Sequence, residues 1–215
     1  MQIRLGLPSK GRIARTIETN LKTNNINIIF SNSRCYLGTL SGSSYLEIRL
    51  MSAKNIASEL ASGKLDFGLT GLDLILENKC KHIKLLKKFE QSKAKITILT
   101  PLSWTKSINN PFLLRLCMTP ILSSKYIQIS NCYLNNKNLK QLHLTKSKST
   151  TEINPYINNS NLIIDIISSG LTATNNMLNT IAIISTTTLC MFYNQTSRIS
   201  YKTLNLINLL CSSLT

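Results

Sequence analysis

The sequence predicts an α/β fold, and three observations predict it. Short apolar runs alternate with segments of helical periodicity along the whole chain. A unit of apolar run, small-residue turn and helix recurs at residues 2–21, 66–77 and 162–178. The chain has 215 residues, enough for a sizeable core in one large domain or two small ones.

The elements follow in order. Residues 2–7 make the first strand, and Pro8-Ser9-Lys10-Gly11-Arg12 turns it into a helix on which Ile13, Ile17 and Leu21 share a face. Lys10 and Arg12 stand where an anion meets a helix start; a solvated basic loop explains them equally well. Residues 26–30 are a second strand, 31–43 a polar Gly-containing connection, and 45–51 a third strand. Ser52 is a good N-cap for a helix over 53–62, whose apolar face is Ile56, Leu60 and Ala61, and Gly63 is its C-cap. Residues 66–70 form a strand that ends at Gly71, and a helix begins near Leu72. Asp73 falls in its first turn, where the dipole alone favours a negative charge. The functional alternative is that Thr70 and Gly71 let a ligand approach the backbone.

Two strands are expected over 82–89 and 94–99, then a loop over 101–110 that carries Trp104. Further strands are expected over 114–118, 126–129 and 141–144. Residues 145–161 are polar and include Thr150-Thr151-Glu152-Ile153-Asn154-Pro155. The apolar run 162–167 is interrupted only by Asp165, which is the pattern of a buried strand. Ser168, Ser169 and Gly170 break it, and a helix is expected over 171–178. That geometry presents backbone N–H groups and hydroxyls to an anion, with Asp165 near the strand end where open α/β sheets bind ligands. A plain turn with Asp165 capping a local backbone group is the simpler alternative. Residues 180–193 form a long β-branched run and 202–214 a C-terminal helix with Leu206, Leu209 and Leu210 on one side.

Composition narrows the function classes. No apolar run reaches the roughly 18–20 residues that span a bilayer, and the first residues lack the pattern of a secretory signal, so the expected location is cytoplasmic. The cysteines at 35, 80, 117, 132, 190 and 211 are scattered without a C-x-x-C pair, and are expected to be reduced, small, buried residues. With only His82 and His143 present, no zinc ligand set assembles around Cys80. The formal net charge of +16 attracts polyanions, but the basic residues are dispersed. Their densest cluster, Lys79, Lys81, Lys84, Lys87 and Lys88, lacks the interleaved rings of a single-stranded nucleic-acid groove. The composition is also rich in Asn, Ile and Lys, which A/T-rich codons favour, so drift and a functional field both explain the charge.

Three pieces line up in order: Leu5-Gly6-Leu7-Pro8-Ser9-Lys10-Gly11-Arg12, then Gly63-Lys64-Leu65-Asp66-Phe67-Gly68-Leu69-Thr70-Gly71-Leu72-Asp73-Leu74, then Asp165-Ile166-Ile167-Ser168-Ser169-Gly170-Leu171-Thr172. Together, over nearly the whole chain, they resemble the catalytic subunit of ATP phosphoribosyltransferase in its short form, the first enzyme of histidine biosynthesis. Thr151-Glu152 with Pro155 falls where that family has a similar element.

The resemblance implies a periplasmic-binding-protein-like fold: two α/β lobes joined by two crossing strands, one holding residues 1–96 and 184–215 (the nucleotide side), the other 97–183 (the phosphoribosyl diphosphate loop). It implies that adenine N1 of ATP attacks the anomeric carbon of 5-phosphoribosyl 1-diphosphate and that diphosphate leaves, with Mg²⁺ as cofactor. It implies that Ser168, Ser169, Gly170 and Thr172 cradle the 5-phosphate, that Asp165 meets the ribose hydroxyls or hydrated Mg²⁺, and that Glu152 is a second carboxylate near the ribose. Lys10, Gly11, Arg12, Thr70, Gly71 and Asp73 would make the nucleotide side, and the two turns would converge on one cleft. A histidyl-tRNA-synthetase-like regulatory subunit is the implied partner. Pro120 stands where the family has a basic residue, a loss that Lys125 would compensate. Ser149 replaces a usual glycine, and Ser169 replaces a threonine while keeping the hydroxyl. The competing classes are a two-lobed small-anion binder without chemistry and a basic RNA-binding protein, the latter marked by a steep salt dependence of affinity.

Overall fold

A computed structural model describes residues 2–32, 35–105, 120–139, 141–147, 150–157, 159–168 and 170–214, with residues 11, 12, 44 and 91 described in backbone only. The chain divides into two compact units, residues 1–92 with 188–215, and residues 93–187. The sequence placed those boundaries at 96/97 and 183/184. Both observed boundaries fall inside long strands, β6 (Ile83–Pro101) and β10 (Leu178–Asn194).

The first unit is built on β1 (Ile3–Pro8), flanked by β4 (Ser43–Met51) and β5 (Phe67–Gly71), both parallel to it. On one side β2 (Ile28–Phe30) and β3 (Leu37–Leu40) continue the sheet antiparallel, and on the other β10 pairs antiparallel with β5. Helices cover both faces, because successive strand side chains point opposite ways. Leu5, Leu7, Phe67, Leu69 and Met191 pack with Ile17 and Leu21 of α1 (Gly11–Thr23) and Ile207 and Leu210 of α6 (Tyr201–Ser213). Cys190 and Phe192 face the other way, against Ile56 and Leu60 of α2 (Ala53–Ala61) and Ile75 of α3 (Leu72–Glu77). Gly6 and Gly68 are register partners on that second face. A Cβ at Gly6 would lie 2.6 Å from Leu65 Cδ1, and one at Gly68 2.6 Å from Ile56 Cγ2, so both positions let α2 close onto the sheet. Ser52 caps α2 by accepting from the Asn55 amide at 3.2 Å, and Gly63 follows the helix at φ +72.

The second unit is built on β9 (Leu162–Ile167), antiparallel to the second half of β6 and parallel to β7 (Ile121–Ser124), which is parallel to β8 (His143–Lys146). Ile96, Ile98, Leu122, Leu162 and Ile164 pack with Leu134 of α4 (Ile127–Asn136). On the other face, Leu99 and Ile163 pack with Ala173 of α5 (Leu171–Asn175) and Leu178. Among the described residues no helix is long and apolar enough to cross a membrane.

Several local expectations need correction. Residues 126–129, read as a strand, begin α4. The Tyr126 amide donates to Ser124 Oγ at 2.9 Å, and Tyr126, Ile129, Tyr133 and Leu134 reach one cluster at helical spacing, a period that four residues are too few to reveal. The strand in this region is β7, which the sequence did not mark. β3 lies within the polar connection 31–43. The strands expected at 82–89 and 94–99 are one, β6, running through the polar stretch at the unit boundary. The helix expected over 171–178 ends at Asn175, because Thr174 and Asn176 side chains bond back to the Gly170 and Thr172 carbonyls and Met177 turns left-handed at φ +49. Cys132 is exposed, and Cys35 and Cys80 are half-buried, so only Cys190 and Cys211 match the expected burial among the described cysteines. Residues 106–119, including the expected strand 114–118 and Cys117, lie outside the described residues.

Candidate active site

In the second unit the parallel strands β7, β8 and β9 end at one edge of the sheet. Asp165 sits on β9 just past the last residue paired with β7 and is 7% exposed. Its Oδ1 accepts the Ile166 N–H at 2.7 Å, and its Oδ2 is buried without a hydrogen bond among the described residues. Burial pushes its carboxyl above the usual 3.8, and the Glu152 charge adds to the rise. The Ile166 amide and the Lys125 ammonium pull the other way without cancelling it. The Thr151 hydroxyl, also buried and without a hydrogen-bond partner, lies close enough for a weak downward pull but not in bonding geometry.

Glu152 stands beside it in a 3₁₀ turn, Thr151–Ile153. Its Oε2 is likewise buried and has no hydrogen-bond partner among the described residues. The turn is fixed by Asn154, 6% exposed, whose Nδ2 donates to Ser123 Oγ at 2.9 Å and to Ser147 Oγ at 3.3 Å. Lys125 follows β7 directly and is exposed. Residues 93–187 contain nine Lys and Arg but only two acids, Glu152 and Asp165. Two buried, unsatisfied carboxylate oxygens are costly. Hard oxygen acceptors held this way suit hydroxyl donors or a hydrated divalent cation. Among the described residues no group of three or more His, Cys, Asp or Glu gathers to hold a metal alone.

Beyond Asp165 the strand passes into Ser168, which is exposed, and Gly170, at φ +79 with open space around its missing Cβ. Thr172 is exposed in the first turn of α5. The structure therefore groups Asp165, Glu152, Ser168, Gly170 and Thr172 in one unit. Ser169 and Ser149 lie outside the described residues. Pro120 is buried, and its carbonyl accepts from the His143 amide at 3.0 Å. Sequence reasoning missed Asn154 and the Ser123 and Ser147 hydroxyls. Nothing in the sequence marks them, because their role depends on Ser123 and Ser147, 31 and 7 positions from Asn154, meeting it at one edge.

In the first unit β1, β4 and β5 also end together, and α1, α2 and α3 start there. Lys10 is exposed at the α1 N-cap, where no side chain caps the helix and no acid occupies the first turn. Gly11 and Arg12 follow in that turn, their side chains outside the description. Gly71 caps α3, and a Cβ there would lie 2.3 Å from Asp73 Oδ1, so glycine lets the Asp73 side chain fold back over the turn. Asp73 is 5% exposed. Thr70 is wholly buried, and its hydroxyl donates to the Ala53 carbonyl at 2.8 Å, tying β5 to α2.

Comparison with known proteins places these features. The sequence profile of the ATP phosphoribosyltransferase family matches residues 52–215. An ATP phosphoribosyltransferase from Bradyrhizobium sp. (strain ORS 278) is 28% identical over 186 residues, 81% of this chain and 57% of that protein, so the chain spans little more than half the length of this relative. Among solved structures, the ATP phosphoribosyl transferase (HisG:HisZ) complex from Thermotoga maritima aligns with a TM-score of 0.79 at 19% identity, covering 99% of this chain and 98% of that one. A histidine kinase sensor domain with similarity to periplasmic binding proteins aligns at 0.58 and 12% identity, covering 99% and 88%. These likenesses show a periplasmic-binding-protein-like α/β fold, and the match over residues 52–215 shows more: the chain belongs to the ATP phosphoribosyltransferase family.

Proposed function

We propose that this chain transfers the 5-phosphoribosyl group from 5-phosphoribosyl 1-diphosphate to N1 of ATP, releasing diphosphate, as the first step of histidine biosynthesis. The observation that supports it most is the Asp165–Glu152 pair, with a buried unsatisfied oxygen on each carboxylate beside a hydroxyl-rich turn. In this reading the ribose hydroxyls donate to Asp165 Oδ2 and Glu152 Oε2, removing the penalty those oxygens carry in the free protein. Ser168, Ser169, Gly170 and Thr172 receive the 5-phosphate, and Lys125 sets a positive charge near the departing anion. Lys10, Gly11, Arg12, Gly71 and Asp73 serve the nucleotide, with Thr70 supporting them from behind.

The N1–C1′ bond forms as the C1′–O bond breaks, and the electron pair leaves with diphosphate. Positive charge grows on the ribose in the transition state, and fixed carboxylates nearby are worth most there. The two-carboxylate donor set fits Mg²⁺ carried chiefly by substrate oxygens; when bound, the ion supplies charge neutralisation for the diphosphate. A regulatory subunit of the kind that accompanies the Thermotoga maritima protein is the expected partner.

The test is diphosphate release from purified protein with its partner, ATP, phosphoribosyl diphosphate and Mg²⁺. Wild type should release diphosphate, while Asp165→Asn and Ser169→Ala should lose use of phosphoribosyl diphosphate yet stay folded. No release from the wild-type assembly sinks the reading.

A further inference from the structure

One contact in the second unit lies outside the groups assigned above. Tyr156 follows the turn that carries Glu152, and its hydroxyl donates to the Asn176 carbonyl at 2.5 Å and the Met177 carbonyl at 3.1 Å. Those carbonyls close the turn that leads from α5 into β10. The Leu102 amide donates to the same Met177 carbonyl at 2.8 Å. Met177 itself is left-handed at φ +49 and 71% exposed. A non-glycine residue keeps that backbone only where its surroundings impose it, and two donors on one carbonyl do so here.

The helix being gripped cannot hold its own shape. α5 has five residues, below the length at which helices persist unaided. Its first residues are the phosphate turn of the proposed function. Its internal bonds, Thr174 Oγ1 to the Gly170 carbonyl at 3.1 Å and Asn176 Nδ2 to the Thr172 carbonyl at 2.8 Å, bind it into one small body. Tyr156 holds the far end of that body. Two residues earlier, Asn154 fixes the same segment to Ser123 and Ser147. The tyrosine ring is about half exposed, so the hydroxyl, more than apolar burial, is what it contributes.

We infer that Tyr156 is a positioning residue for phosphoribosyl diphosphate. Its hydroxyl locks the small body that begins at Gly170 and Thr172 to the segment bearing Glu152, setting the spacing between the 5-phosphate and ribose-hydroxyl subsites. The inference rests on the proposed function and names a residue that touches no substrate.

The test is Tyr156→Phe in the full chain, which keeps the ring and removes the hydroxyl. Calorimetric titration with phosphoribosyl diphosphate and Mg²⁺ should show binding weakened about three- to tenfold, the scale of one lost hydrogen bond. The KM for ATP and the melting temperature should stay near wild type, and the amides of Thr174, Asn176 and Met177 should exchange hydrogen faster. Equal binding by wild type and variant overturns this inference alone. So does a weakening shared equally by both substrates together with a lower melting temperature, since that describes a merely structural tyrosine. A wild-type protein that binds no phosphoribosyl diphosphate overturns this inference and the proposed function together.

Discussion

Asp66, just ahead of β5, and Asp165, on β9, are the same residue type and buried to nearly the same degree, 2% and 7% exposed, yet their carboxyls are shifted in opposite directions. Burial is the largest influence on both carboxyls, and in both it acts upward. At Asp66 the surroundings more than offset it. Arg4 donates from its backbone amide at 2.8 Å, from Nε at 3.1 Å and from Nη2 at 3.2 Å, and Ser197 Oγ donates at 2.6 Å. The net result holds Asp66 below the usual 3.8. At Asp165 the Ile166 amide and the Lys125 charge do not offset burial, and the carboxyl stays above it. The first unit spends Asp66 on stitching β1, β5 and the C-terminal segment together. The second leaves one oxygen of each of Asp165 and Glu152 without a partner among the described residues, which the proposed function reads as groups kept for a ligand.

The largest expected effect is at Asp165. Asp165→Asn keeps an acceptor for the Ile166 amide but loses the charge. Diphosphate release should fall by about 10²-fold or more, while the urea midpoint holds or rises, because an uncompensated buried charge is gone. A fall in stability would mean that Asp165 is a clip like Asp66, and the contrast would collapse. Next is Asp66→Ala, which strands Arg4 and Ser197. It should cost about 3 kcal/mol, read as a lower urea midpoint at constant m-value.

The pH dependence separates the two with opposite signs. Asp66 has a depressed folded pKa, so its stabilisation is present above the unfolded value near 3.8 and is lost as pH falls through the folded value. Asp165 has a raised folded pKa, so the folded state binds the proton more tightly. Stability therefore declines as pH climbs from about 3.8 through the folded value, and the penalty is full above it. Stability curves from pH 2 to 7 should lose the acid-side rise in Asp66→Asn and the later decline in Asp165→Asn. Under the proposed function substrate use needs the Asp165 carboxylate, so it should weaken toward acid in wild type. A smaller effect is expected of Gly68→Ala, which drives a methyl against Ile56 and Leu60 of α2. It should cost about 1–3 kcal/mol by thermal unfolding, with the kinetics of the second unit's substrate unchanged. The smallest is Lys22→Ala. The Lys22–Glu18 pair at 2.8 Å is exposed on both sides, so no resolvable shift in the urea midpoint is expected.

Much of this was legible in the residues. The strand–turn–helix units at β1, β5 and β9 carry strong local signals: apolar runs with Pro8, Gly71 and Gly170 as punctuation. The α2 caps at Ser52 and Gly63 were read from single residues. The failures share a cause. β7 and α4 were confused because Ile127 and Ile129 suit a strand locally, and only the reach to Tyr133 and Leu134 reveals the helical face. The bond from the Thr70 hydroxyl to the Ala53 carbonyl was equally invisible, since it depends on where α2 packs.

The amino-acid order alone determined the α/β alternation, the three turns and the acids worth watching, since periodicity and turn chemistry act within a few residues. Only the tertiary structure decided which buried carboxylate is satisfied. Asp66 meets a guanidinium 62 positions away and a serine 131 away, Asp165 meets neither among the described residues, and burial is favourable or costly according to partners that local sequence does not contain.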